Sequence, residues 1–242
     1  MYYVAMQRNT LTFGKDGNNM ENKQKIRIVC FGDSNTWGYD PETKRRHGDH
    51  IRWTSRLQDL LGDDYQVVEC GINGRTAAHD EPFRECRNGA KGIGYNLLEN
   101  SPLDLLILCL GTNDLKYEDN ASAISRGMYL LMRTVHHSGL LNTFDTSVFR
   151  GGKEKVLLMA PIHIGKDLDT RFPDSILHGK YELSCRFAEI YELIAKKFGA
   201  EFMDAAQYAE PSEADCLHMD AENHRKLAEA VCERVRAMFE KD

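Results

Sequence analysis

Apolar residues in this chain gather in short runs, and between the runs lie longer stretches in which they recur every three or four positions. Ile26 to Phe31, Gln66 to Glu69, Leu103 to Leu110, Lys155 to Ala160 and Glu201 to Met203 read as strands, each bounded by Gly, Pro or Asp. Helical spacing covers Arg52 to Leu61, Ala121 to His136, Lys180 to Phe198 and Ala221 to Phe239. Strand and helix therefore alternate. That order predicts a parallel sheet with helices on both faces, because parallel neighbours need right-handed crossovers. Near-continuous runs such as LLILCL (Leu105 to Leu110) agree, since a strand covered on both faces need not alternate with polar residues. The economical architecture is an α/β three-layer sandwich around a five-stranded, parallel, flavodoxin-like sheet. In such sheets ligands sit beyond the carboxyl ends of the strands. Irregular segments are expected at about residues 37 to 51, 71 to 96, 138 to 154 and 161 to 178.

Composition narrows the partners. With 42% hydrophobic and 28% charged residues the chain has the make-up of a folded globular protein. Its formal net charge of −6, with no clustered basic face, gives no footprint for nucleic acid; the run Lys44 to Arg46 reads as a solvated loop. Residues 1 to 24 read as a polar extension and 25 to 242 as one domain, with Met20 a second candidate start. No apolar stretch approaches the ~20 residues of a membrane span, and no secretory n-region precedes an apolar run. Seven cysteines, odd in number and without a CxxC pair, suit reduced, mostly buried thiols and argue against structural zinc. These readings together predict a cytoplasmic protein.

Four polar clusters follow strands. Gly32-Asp33-Ser34-Asn35 follows the first, Gly71-Ile72-Asn73-Gly74-Arg75-Thr76 the second, Gly111-Thr112-Asn113-Asp114 the third, and Asp215-Cys216-Leu217-His218 the last. Acyl transfer needs a hydroxyl nucleophile, a base, an acid to orient the base, and donors for the oxyanion. Ser34 supplies the hydroxyl. His218 is the one histidine of nine with an acid at DxxH spacing, Asp215. The backbone N–H groups of Ser34 and Gly74 and the side-chain amide of Asn113 are candidate oxyanion donors. Such a site needs no cofactor or metal, and it loses activity in acid as its histidine protonates.

GDS at Gly32 to Ser34, the glycine turn at Gly71 to Gly74, GTND at Gly111 to Asp114 and DxxH at Asp215 to His218 stand in the order that resembles the SGNH (GDSL-type) esterase and lipase family. The strings CFGDSNTWGYDP and PLDLLILCLGTNDLK and the Arg75-Thr76 turn are most similar to its bacterial arylesterase/acyltransferase branch. The resemblance runs from about Lys25 into the last helix. It implies the sandwich fold, a metal-free serine hydrolase acting on small acyl esters, a homo-oligomer, Ser34, Gly74 and Asn113 at the oxyanion site, and Asp215 and His218 in the triad. The chain departs from the family at Asn35, where a hydrophobic residue is frequent. Asn35, Trp37 and Tyr39 are candidate walls of the substrate pocket, and His163, after the fourth strand, a candidate substrate contact.

Other readings compete. Asp33 to Thr36 are all good helix caps, Gly111 to Asp114 is a plausible turn, and His224 reads as a surface residue of the last helix. Asp33 and Asp114 with a histidine could hold a metal for phosphoester hydrolysis. A pocket without catalysis would make a carbohydrate- or ester-binding module.

Overall fold

The computed structural model describes residues 24–141 and 147–240. The expectations for the N-terminal extension and for Met20 lie outside these residues, as does part of the 138 to 154 segment. Among the described residues seven strands are formed: β1 (Ile26–Gly32), β2 (Tyr39–Asp40), β3 (Arg45–Arg46), β4 (Tyr65–Gly71), β5 (Leu105–Cys109), β6 (Val156–Ala160) and β7 (Glu201–Asp204). The helices are α1 (Ser34–Trp37), α2 (Trp53–Leu61), α3 (Gly89–Glu99), α4 (Ala121–His136), α5 (Leu168–Arg171), α6 (Tyr181–Ser184), α7 (Phe187–Phe198) and α8 (Ala221–Glu240).

Five strands form one parallel sheet in the order β4-β1-β5-β6-β7. The chain starts in the middle, crosses to one edge and then builds outward on the other side, so the direction of winding reverses between β1 and β5. A crevice opens at such a reversal. Both faces of the sheet are covered. Val29, Phe31, Leu106, Leu108 and Leu158 pack against Ile93 and Leu97 of α3, Met128 and Leu131 of α4 and Phe187 and Tyr191 of α7. Ile28, Cys30, Leu105, Ile107, Leu157 and Met159 pack against Trp53 and Leu57 of α2 and Leu227, Val231 and Val235 of α8. Alternate residues of one strand thus enter two different cores, and both sets are apolar. This two-sided burial is why the strands read as uninterrupted hydrophobic runs.

The structure corrects four expectations. The segment 71 to 96 is not irregular throughout: it holds a 3-10 turn at Glu85–Arg87 and the start of α3. The three glycines of GAKGIGYNLLE lower its helix propensity, and burial of Ile93 and Leu97 holds the helix instead. The single helix expected over 180 to 198 is interrupted at Cys185 and Arg186. Arg45 and Arg46 are not loop residues but form the short antiparallel strand β3 against β2, and Arg46 pairs with Glu69 at 2.7 Å. His224 is not on the surface: it is fully buried, its Nδ1 accepting from the Trp53 N–H at 3.2 Å, which joins α8 to the first turn of α2. Burial pulls its pKa down to about 3, so this imidazole stays neutral.

Candidate active site

Gly32, Gly71 and Cys109 stand in register at the carboxyl ends of β1, β4 and β5. Ser34, Gly74 and Asn113 follow within a few residues, so the sheet itself delivers the three expected oxyanion groups to one place. The approach is close. A Cβ on Gly71 would lie 2.2 Å from the Trp37 backbone nitrogen, so only glycine lets α1 pack directly on the end of β4. Asp33 caps α1, its Oδ1 accepting from the Asn35 N–H at 3.0 Å. The capping expected of this cluster is present, and it makes Ser34 the first residue of the helix.

Asp215 and His218 come from the long loop after β7. The Asp215 Oδ1 accepts from the backbone N–H groups of Leu217 and His218, both at 2.9 Å, and so folds the loop on itself. Its Oδ2 lies 2.6 Å from His218 Nδ1, and His218 Nε2 lies 2.8 Å from Ser34 Oγ. Carboxylate, imidazole and hydroxyl thus form one continuous chain. Burial alone would raise the Asp215 carboxyl; the His218 hydrogen bond and charge, with the two N–H donors, outweigh it and hold the group below the usual carboxylate range. Because an ionised carboxylate only accepts, Nδ1 is the donor, and Nε2 of the neutral ring is left as the acceptor facing Ser34.

Asn113 Nδ2 donates to the Arg75 carbonyl at 3.1 Å, and its Oδ1 accepts from Lys116 Nζ at 2.6 Å. Gly74 has φ +80°, and a Cβ there would meet the Arg87 guanidinium at 2.7 Å. Arg75 is buried beneath this loop, donating to the carbonyls of Gly32 at 3.0 Å and Cys70 at 2.5 Å and lying 3.9 Å from the centre of the Phe31 ring. Burial pulls its pKa down to about 10. Two further acids are enclosed nearby. Burial pushes Asp33 up to about 6, and Asp114, which accepts from the Ala77 N–H, up to about 7. Among the described residues no group of three or more His, Cys, Asp or Glu side chains is placed to hold a metal ion.

The expected pocket residues separate. Asn35 is not an open wall: it is 5% exposed, its Nδ2 donates to the Leu217 carbonyl at 3.3 Å and its Oδ1 accepts from the Met219 N–H at 3.0 Å. It clamps the nucleophile turn to the loop carrying His218, which gives a polar residue at this position a physical reason. Tyr39 packs on His218, ring centres 4.4 Å apart. Trp37 lies beneath the Arg46 guanidinium. His163 is 3.7 Å from Cys185 Sγ and lines a cavity of about 310 Å³ with Lys166, Arg171, Ser212 and Cys216; neither Ser34 nor His218 lines it. Sequence reading did not single out Lys116. Its signal was the three-residue spacing from Asn113, which a 3-10 turn brings back onto the same side.

Residues 30–226 match the model of the GDSL-like lipase/acylhydrolase family. The chain belongs to that family. Members of it with solved structures superpose over most of their length. An aryl esterase of M. smegmatis is 32% identical, covering 88% of this chain and 99% of that one with a TM-score of 0.79. A carbohydrate acetylesterase from Sinorhizobium meliloti is 29% identical, covering 88% and 100%, with a TM-score of 0.80. An acetylxylan esterase of Xylanibacter ruminicola is 32% identical over 94 residues; the match spans 39% of this chain and 18% of that relative.

Proposed function

We propose that this GDSL-like chain is a serine esterase that moves short acyl groups, acetyl foremost, from an ester onto Ser34 and then to water or to a second alcohol. The observation that carries the reading is the unbroken relay from Asp215 through His218 to Ser34, at 2.6 and 2.8 Å. In this reading Ser34 Oγ attacks the acyl carbon while its proton passes to His218 Nε2. Asp215 stabilises the imidazolium that results. The former carbonyl oxygen, now negative, receives hydrogen bonds from the N–H groups of Ser34 and Gly74 and from Asn113 Nδ2. On collapse the C–O bond to the alcohol breaks, and the alcohol leaves with the proton held by His218. A water or alcohol then repeats the steps in reverse on the acyl-enzyme. Burial of Ser34 and Asn113 themselves limits the screening of these interactions by water.

Acetylated carbohydrates or aryl acetates are the substrate class favoured by the names of the similar proteins. Residues 25 to 242 act as one catalytic domain in this proposal. A reducing, cytoplasmic setting is supported by seven cysteines without a disulfide among the described ones. Self-association is supported by the exposed Phe83, Tyr95, Ile176 and Leu193. Among the described residues no helix is long and apolar enough to cross a membrane.

Hydrolysis of a chromogenic acetyl ester tests the reading. The wild type should turn over with or without a chelator, and Ser34→Ala should not. Activity that survives Ser34→Ala, or that a chelator abolishes, overturns it.

A further inference from the structure

The Asn113 amide can do its proposed work only in one of its two orientations. With Nδ2 toward Ser34 it donates to the oxyanion; flipped, it would present an acceptor there and repel negative charge. Its Nδ2 bond to the Arg75 carbonyl at 3.1 Å favours the first, and its second N–H, which makes only a long 3.5 Å contact with Asp33 Oδ2, is the one left for the oxyanion. A stronger constraint comes from the other end. Lys116 Nζ lies 2.6 Å from Asn113 Oδ1. An ammonium has donors and no acceptor, so it can face only the oxygen of the amide.

The local fold makes this contact reproducible. Asp114–Lys116 is a 3-10 turn in which the Lys116 N–H donates to the Asn113 carbonyl at 3.2 Å. Residues three apart eclipse in such a turn, so the lysine stem returns over Asn113. Lys116 is half-buried, and among the described residues no carboxylate lies within ion-pairing distance of its ammonium. Asp33 of the nucleophile turn and Glu81, Arg84 and Arg87 of the segment before α3 are the charged groups around it. Glu81 is taken up by Arg87 at 2.8 Å and by the Tyr117 hydroxyl at 2.6 Å. The lysine charge is therefore directed at one amide oxygen.

We propose that Lys116 is a positioning residue of the esterase: it locks the Asn113 amide with Nδ2 toward the oxyanion and, by drawing electron density to Oδ1, strengthens that donor. The inference rests on the acyl-transfer reading. It adds a dependence which that reading lacks, namely that the lysine must be protonated. Burial lowers its proton affinity below that of an ordinary lysine, so this dependence falls within a measurable alkaline range.

The test compares Lys116→Met, Lys116→Arg and Ser34→Ala on a chromogenic acetyl ester, with thermal midpoints recorded for each. Lys116→Met should lose about 10- to 100-fold in kcat, less than the ~100- to 1000-fold of removing an oxyanion donor outright, with KM within about twofold. Lys116→Arg keeps a donor and a charge and should stay within about threefold of wild type. Wild-type kcat should decline at alkaline pH below the ordinary lysine range, and Lys116→Met should lack that limb. Unchanged kcat in a folded Lys116→Met enzyme, an equal loss in Lys116→Arg, or an alkaline limb that persists without the lysine overturns the proposal. Activity remaining in Ser34→Ala would instead overturn the acyl-transfer reading itself.

Discussion

Ser34, Gly74 and Asn113 stand just past the register-matched ends of β1, β4 and β5, whereas Asp215 and His218 stand well beyond β7, on a loop that must cross back to reach them. The first half of the site is held by the ends of the sheet, with Ser34 and Asn113 buried and Gly74 half-buried. The second is held by side chains and single backbone contacts: Asn35 to Leu217 and Met219, and the Gly165 N–H to the Cys216 carbonyl at 2.7 Å. Their carboxyls differ in the same way. Burial raises Asp33 and Asp114, while His218 and two N–H donors, outweighing burial, lower Asp215. The sheet end thus encloses its carboxyls and raises them, whereas the carboxyl that must stay ionised is supplied from a loop where an imidazole and two N–H groups meet it.

Substitutions should separate the two halves. The largest effect is expected at Asp215→Asn. It keeps an acceptor for the Leu217 and His218 N–H groups but no longer fixes the histidine tautomer, so kcat should fall about 10⁴-fold with little change in thermal midpoint. On the sheet side, the raised Asp114 makes stability depend on pH in a defined direction. Between the unfolded value near 3.8 and the folded value of about 7, only the unfolded state ionises. Its contribution is therefore complete below the former and is lost as pH rises through the latter, by up to about 4 kcal/mol. Urea unfolding at pH 5 and pH 8 should show a smaller loss for Asp114→Asn than for the wild type. Asn113→Ala should lower kcat by about 100- to 1000-fold, or roughly 3 to 4 kcal/mol. The smallest effect belongs to Gly165→Ala, whose Cβ would lie 2.6 Å from Cys216 Cβ. It should cost about 1 to 3 kcal/mol of stability by overpacking, and in lifting the Cys216 loop it should lower kcat by a factor that multiplies the loss of Asn113→Ala in the double variant.

Legibility in the sequence followed the same division. β1, β5 and β6 were readable because burial on two faces leaves their central residues apolar, and motifs sit at the ends of β1 and β5. α3 was not, because Gly89, Gly92 and Gly94 argue locally for a loop while Ile93 and Leu97 are held by distant partners. β2 and β3, two residues each, carry no periodicity. Asp215 and His218 were readable through their three-residue spacing, but the clamp at Asn35 was not, since its partners lie more than 180 positions away. His224 was misread for a related reason: nothing in its own helix reveals that the Trp53 N–H needs an acceptor.

The central claim is that Ser34 carries the acyl group. Rapid quenching during turnover of an acetyl ester, followed by peptide mass spectrometry, tests it most directly. The account predicts an acetylated peptide containing Ser34 in the wild type, slower labelling of the same peptide in His218→Ala, and none in Ser34→Ala with turnover abolished. Acetylation found instead on another residue such as the exposed Cys86, or undiminished turnover without Ser34, would contradict it.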